Sequence, residues 1–439
     1  MSHKQFLFLI QALFVLALTG FHIWGARLLM HRIGLHRPML RRVAVGVLAA
    51  IILLLDLPLI HLFIFYKVYH PVALDRLMHD WAGVFLALHA NAILFGGLLF
   101  LDRYLIRIVR QKLKRKRSRA SRRDIQTPVP QPAIEPAGGG LALETGTLPA
   151  RRRFLYTAGL AVAGYATSSS TMRAMGASDD YRMEQVVVKI PNLPEKLKGT
   201  RIAIVSDIHS SVFMTREEMD RYVSVLNGMN ADMAFVLGDF VNSKLREVYP
   251  FAESFTGLKA PLGVYGVTGN HDYYTGEIET VAKEVEQCGI KLLRNENVAI
   301  EKNGEKLWLL GMDDGDIYDV KPYLQNGKSE KGTIENMLRG IPENAPKLFL
   351  CHKPYPFEEY SMLGADLMLS GHTHGGQVVI AQLDNINLSF ATLASRYVAG
   401  LYKSRSNRKS QLYVTRGIGT VGLPLRINCP PEVTQLILV

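Results

Sequence analysis

The sequence predicts an α/β domain behind an N-terminal α-helical membrane region. Three observations carry that expectation. Apolar stretches long enough to span a bilayer fill the first 101 residues, short β-rich runs alternate with helical ones from residue 185 onward, and metal-ligand residue types recur where those β runs stop.

At roughly 150 residues per domain, 439 residues leave room for two or three modules. The chain is 48% hydrophobic and carries 51 Lys and Arg against 39 Asp and Glu, net +12. Such a balance first suggests a polyanion or a membrane surface. The excess is confined to the front, however. Residues 1–176 hold 23 basic and 7 acidic side chains, net +16, whereas residues 177–439 hold 28 and 32, net −4. The back half has no charge signature for nucleic acid, and a nucleic-acid partner is not expected.

The apolar stretches lie near residues 5–25, 43–66 and 81–101, each able to cross ~30 Å of hydrocarbon at 1.5 Å per residue. No small-residue cleavage pattern follows the first, so it reads as a retained helix rather than a signal peptide. Arg27, Arg32, Arg37, Arg41 and Arg42 lie between spans one and two, against Lys67 and Arg76 between spans two and three. The first loop should therefore be cytoplasmic, as should the basic run from Arg103 to Arg123 after span three, giving an N-out topology. Asp56, His61, His89 and Asn91 fall inside the spans and read as interhelical hydrogen-bonding groups ahead of a proton or ligand path.

Residues 1–117 thus form a three-helix transmembrane region, and 118–150, rich in Pro, Gly and small polar residues, a flexible linker. Residues 151–177 open on Arg151, Arg152 and Arg153 and continue as Ala, Gly, Val and Leu. They resemble an internal twin-arginine export signal or a weak fourth span, the alternative being a helix lying on the membrane or packed on the domain. The spanning reading puts the domain at 178–439 on the outer face of a bacterial-type inner membrane.

Within that domain, β-rich runs occur at 185–190, 201–205, 234–237, 264–267, 307–310, 348–350, 367–369 and 412–415. Asp207 and His209 follow the second (V-S-D-I-H-S), and Gly238, Asp239 and Asn242 the third (L-G-D-F-V-N). Asn270, His271 and Asp272 follow the fourth (G-N-H-D). Cys351 and His352 follow the sixth (L-C-H-K-P), and His372 and His374 the seventh (G-H-T-H-G-G-Q). Ligands at the carboxyl ends of strands are where α/β sheets place their sites. Carboxylate, imidazole and one amide oxygen suit Mn, Fe or Zn. Cys288, Cys351 and Cys429 imply no disulfide framework, and Cys351 reads as a small buried strand residue.

The ordered set D-x-H, G-D, G-N-H-D, H and G-H-x-H resembles the calcineurin-like metallophosphoesterases over about residues 186–439. The segments R-Y-V-A-G-L-Y (396–402) and 413–431 are similar to its membrane-associated branch, which includes twin-arginine-exported phosphoesterases and a type of UDP-2,3-diacylglucosamine hydrolase. The resemblance implies a four-layer αββα sandwich holding two divalent metal ions, Mn foremost. It assigns Asp207, His209, Asp239 and His374 to one ion, and Asp239, Asn270, His352 and His372 to the other, with Asp239 bridging.

His271 would then bind the phosphate or protonate the leaving oxygen. Many relatives orient this histidine with an Asp three residues after the bridging Asp. Here Asn242 stands there, holding the ring through its amide, and it also departs from the tyrosine ligand of purple acid phosphatases. Gly375 and Gly376 would let the backbone pass close to the metals.

The function so implied is a membrane-anchored phosphoesterase that cleaves a phosphoester or pyrophosphate bond by metal-bound hydroxide, on a phosphorylated, lipid-linked or envelope substrate met at the lipid bilayer. A cytoplasmic domain would instead suit UDP-2,3-diacylglucosamine pyrophosphatase activity of lipid A synthesis. A non-catalytic sensor or scaffold binding a phosphorylated ligand is the alternative of another class.

Overall fold

The computed structural model describes residues 181–439, except 192, 384–385, 390 and 422–424, together with single positions before 181. The chain divides into two units, Met1–Met172 and Arg173–Val439, and the strands lie in the second. The spans at 5–25, 43–66 and 81–101, with Asp56, His61, His89 and Asn91, lie outside the described residues apart from single positions, as do the basic run, the linker and the 151–177 segment. Among the described residues no helix is long and apolar enough to cross a membrane.

The strands in chain order are β1 (Arg182–Val188), β2 (Arg201–Val205), β3 (Met233–Val236), β4 (Val264–Gly266) and β5 (Ile290–Leu292). Next come β6 (Glu296–Lys302), β7 (Glu305–Gly311), β8 (Lys347–Leu350) and β9 (Leu367–Ser370). After a hairpin of β10 (Val379–Leu383) and β11 (Ile386–Ser389), the chain ends with β12 (Gly400–Lys403), β13 (Gln411–Val414) and β14 (Glu432–Leu438). The helices of more than one turn include α1 (Arg216–Gly228), α2 (Val248–Phe255), α3 (Asn270–Tyr274), α4 (Ile278–Gln287), α5 (Val320–Asn326), α6 (Thr333–Leu338) and α7 (Phe357–Met362). All eight β-rich runs singled out in the sequence correspond to strands, with ends shifted by up to three residues.

Two mixed six-stranded sheets result, in the orders β1-β14-β2-β3-β4-β5 and β12-β13-β9-β8-β7-β6. The centre of each is parallel: β2, β3, β4 and β5 in the first, β13, β9, β8 and β7 in the second. Antiparallel β14 against β2, and β12 and β6 against their neighbours, flank these centres.

The reason lies in side-chain alternation. In β2, Ile202 and Ile204 enter one core while Ala203 and Val205 enter another. Leu367 and Leu369 in β9 point to the first core and Met368 to a third. Strands buried on both faces read as unbroken apolar runs, as parallel sheets require.

The three cores define the layers. One lies between the sheets and joins Ile202, Phe235 and Leu436 to Leu309, Leu348 and Leu369. Outside the first sheet, Ala203 and Val236 pack under Met219 and Leu226 of α1, Phe251 and Phe255 of α2, and Val281 and Val285 of α4. Outside the second, Phe349, Met368 and Leu412 pack under Val320, Ile334, Met337, Phe357 and Tyr360 of α5, α6 and α7. The order is helix, sheet, sheet, helix. Helix α1 is capped by Thr215, whose hydroxyl accepts from the Glu218 N–H while the Glu218 carboxylate accepts from the Thr215 N–H. Because the central strands of each sheet are parallel, their carboxyl ends share an edge, and the loops there carry the polar motifs.

Candidate metal centre

Loops after β2, β3, β4, β8 and β9 bring Asp207, His209, Asp239, Asn270, His271, His352, His372 and His374 to that edge. Three sets of ligand atoms lie within 4.8 Å of one another: Asp207, His209 and His374; Asp239, His352 and His372; and His209, Asp239 and His271. The first two sets share no member. They meet at Asp239, whose Oδ2 lies 3.5 Å from His209 Nε2 and 3.2 Å from His352 Nε2. Its Oδ1 accepts from the His271 main-chain N–H at 2.8 Å. His209 and His374 present Nε2 atoms 3.0 Å apart, and His374 Nε2 is 3.4 Å from Asp207 Oδ1.

The backbone is bent to achieve this. Asp207, His209, Asp239, His372 and His374 all take left-handed φ, between 50° and 72°. Asp and His tolerate this region better than branched residues do, at a cost of about 1–3 kcal/mol each where the surroundings enforce it. Each is the turn that aims a side chain inward where its strand stops. His372 N–H donates to both oxygens of Asp207 at 3.0 Å, which holds the His372–His374 turn against the β2 loop.

The tautomers of two imidazoles follow from their neighbours. His352 Nδ1 lies 2.7 Å from the Leu237 carbonyl and His374 Nδ1 3.2 Å from that of Gly419. A carbonyl only accepts, so each Nδ1 donates and each ring turns its Nε2 toward the centre. Burial lowers His209 well below the usual imidazole range. Burial, with the charge of His352 behind it, lowers His372 to about 3, and burial lowers His374 to about 4.

His352 behaves oppositely. Burial opposes its charge, yet Asp239 and Asp207 raise its imidazole to about 10. Asp239, in turn, sits well below the carboxylate range despite burial, through His352 and His209. Positive charge is favoured between them.

This donor set fits divalent cations. His352 Nε2 and Asn270 Oδ1 are buried without a hydrogen-bond partner, an arrangement that costs about 1–3 kcal/mol per group unless a cation or donor meets it. Asn270 is also oriented: its Nδ2 donates to Tyr274 Oη at 3.1 Å, leaving Oδ1 for the centre.

Two expectations need correction. His271 is held not by the side-chain amide of Asn242 but by its main-chain carbonyl, 2.5 Å from Nδ1. The cause is the bridge between Ser210 and Val241 and the Asn242 N–H bond to Ser210 O, which lay this stretch of main chain alongside the β2 loop. Gly375 and Gly376, with φ of 61° and 88°, do not serve a close approach to the ligands. A Cβ on Gly375 would meet Arg416 Cγ and Cys429 Sγ at 2.7 Å, and one on Gly376 would meet Ser389 Oγ at 2.3 Å, so the turn is wedged against neighbouring loops.

Asp272, Tyr274 and Arg426 were not singled out from the sequence as site residues. Asp272 is fully buried and accepts four main-chain N–H groups, from Gly269, Asp239, Phe240 and Val241. Burial and then Asp239 raise its carboxyl to about 8, while the N–H groups oppose the rise. It ties the β3 loop to the start of α3. Its signal in the sequence was an Asp at the third position of a short helix opened by Gly269. Cys288, Cys351 and Cys429 are free and buried, and burial raises each thiol, so Cys351 is the packing residue expected.

Comparison with known proteins agrees with this geometry. The calcineurin-like phosphoesterase family matches residues 200–376. A zebrafish (Danio rerio) transmembrane protein with metallophosphoesterase domain is 31% identical over 60% of this chain and 59% of its own length. Its cattle (Bos taurus) counterpart is 29% identical over 67% and 65%. An uncharacterized metallophosphoesterase of Helicobacter pylori is 29% identical over 58% and 63%. The chain thus spans less than two thirds of the length of each of these relatives. The class defined is a metallophosphoesterase fold with Asp and His gathered at one sheet edge, and residues 200–376 match the calcineurin-like phosphoesterase domain.

A Cβ on Gly269 would fall 2.2 Å from Asp239 Oδ1 and 2.4 Å from Asp239 N. Gly269→Ala is therefore expected to weaken divalent-cation binding at least about tenfold, since shifted supporting groups cost 10–100-fold in metal affinity. Titration with Mn checks this, and unchanged affinity refutes the close approach.

Proposed function

We propose that this chain is a membrane-anchored phosphoesterase using two divalent metal ions to cleave a phosphoester or pyrophosphate bond of a lipid-linked or envelope substrate. The observation that carries the reading is the meeting of two ligand sets at one oxygen of Asp239. Asp207, His209 and His374 would hold one ion, Asn270, His352 and His372 the other, and Asp239 both.

Bound there, such ions supply electrostatic stabilisation of phosphoryl charge and lower the pKa of water. The chain's own groups do the rest. The low basicity of His209, His372 and His374 leaves their lone pairs unprotonated at neutral pH. Asp272 keeps the β3 loop and α3 together, so that Asp239 and Asn270 stay in register. His271, with Nδ1–H committed to the Asn242 carbonyl, has Nε2 as its working nitrogen. It donates a proton to the leaving oxygen only once cationic, and a carbonyl supports that charge less than a carboxylate would.

Anchoring is supported by the three apolar stretches and by the transmembrane names of two relatives. Described apolar positions within the predicted spans, Val43, Val47 and Ile93, are exposed, as lipid-facing side chains would be. An enzyme held at a bilayer meets substrates there, which favours a lipid-linked phosphoester. Mn is the ion we expect.

The direct test is Asp239→Ala in the full-length protein in detergent. We expect loss of bound Mn and of hydrolysis of p-nitrophenyl phosphate and bis-p-nitrophenyl phosphate. Retained activity sinks the bridging role, and a parent protein that binds Mn but turns over neither substrate nor lipid extract sinks the enzyme reading. Asn242→Ala keeps the carbonyl, so activity is expected within about threefold of the parent, whereas His271→Ala should lose about 10²–10⁴-fold. Equal losses would show that the amide matters after all. For sidedness, alkaline phosphatase fused after Val439 is expected to be active outside the cytoplasm. Fluorescence of a cytoplasm-only reporter at the same position reverses the topology and favours UDP-2,3-diacylglucosamine as substrate.

A further inference from the structure

Arg426 is the largest side chain completely buried among the described residues. A guanidinium taken out of water is costly unless its donors are all met, and usually a carboxylate meets them. Here the acceptors are main-chain carbonyls. Nε donates to Gly419 O at 3.1 Å, and Nη1 to His374 O and Cys429 O at 3.3 Å. Nη2 donates to Arg416 O at 2.9 Å, Gly417 O at 3.1 Å and Gly419 O at 2.5 Å, and lies 3.4 Å from His374 Nδ1. A flat fork of five N–H donors suits such a cluster, and an ammonium cannot reproduce it.

Apart from that of Cys429, the carbonyls belong to the turn at His374 and to the 416–419 loop, which also touches the other ligand strand. Ile418 N–H donates to Ser206 O at 3.1 Å and Gly419 N–H to Asp207 O at 2.7 Å. The Gly419 carbonyl that receives Arg426 also receives His374 Nδ1, which sets the tautomer. Arg426 therefore stands behind Asp207 and His374 together. None of its hydrogen bonds reaches Asp239, Asn270 or His352, whose supports are Leu237 O, Asp272 and Tyr274, and His372 is joined to this half only through its N–H bonds to Asp207.

We propose that Arg426 is a positioning residue chiefly for one half of the centre: it locks the His374 turn to the 416–419 loop, fixing Asp207 and His374 for one ion, while the other half keeps its own supports and is touched only through the His372 N–H. The inference rests on the two-ion reading above. It predicts an asymmetric defect, which general destabilisation would not produce.

The test uses the full-length protein in detergent with Mn as the probe, by equilibrium titration and low-temperature electron paramagnetic resonance. The parent is expected to bind two ions and give an exchange-coupled multiline spectrum. Arg426→Lys should lose about 10–100-fold in affinity at one site only, so that limiting Mn gives the six-line spectrum of an isolated ion. Arg426→Met should retain a single ion. Parental affinity at both sites, or parallel loss of both, in Arg426→Lys overturns the proposal, and that variant decides if Arg426→Met does not fold. A parent that binds no pair of ions overturns the two-ion reading itself, and this inference with it.

Discussion

The carboxylate of Asp239 is the constraint on which the rest of the domain depends. One oxygen is tied to the His271 N–H, and the other faces an imidazole from each of two separate ligand sets. Those imidazoles come from different sheets, His209 after β2 and His352 after β8. For both to approach one oxygen, the two sheets must stack with their parallel centres ending at the same edge. The inter-sheet core of Ile202, Phe235, Leu348 and Leu369 is what enforces that stacking.

Such a centre is unstable on its own. It gathers buried carboxylates, five residues in left-handed backbone conformation and several unpartnered polar atoms. Each carries a cost of about one to three kcal/mol in the absence of a bound cation. Three apolar cores offset that cost, and their packing makes the loops at the edge short and tightly bonded. Asp272 with its four N–H donors and Arg426 with its carbonyls act between core and centre. They convert rigid packing into fixed ligand directions, the requirement for low reorganisation on binding a charged group.

The legibility of the fold followed from alternation. Runs such as R-I-A-I-V and L-M-L-S are apolar on both faces because both faces are covered, and their ends mark the site. The seven ligand-type residues were legible because Asp, His and Asn recur where such runs stop. Asn242 shows the limit: residue type suggested an amide contact, but the contact is made by its main chain, an atom every residue has. Gly375 and Gly376 show another, since what a missing Cβ avoids depends on loops 13 to 54 residues away in sequence.

By itself, then, the sequence determined the apolar pattern, the identities of Asp207, His209, Asp239, Asn270, His352, His372 and His374, and the division between a basic front and a mildly acidic back half. These are properties of side chains taken one at a time or at short spacing. Only the tertiary structure decided which of those ligands share an oxygen, which nitrogen of His352 and His374 faces the centre, and that Arg426 stands behind His374. Such facts depend on main-chain atoms carried together by sheet packing from positions 45 to 115 residues apart. Main-chain carbonyls and N–H groups are the same at every position, so one-dimensional order cannot distinguish them.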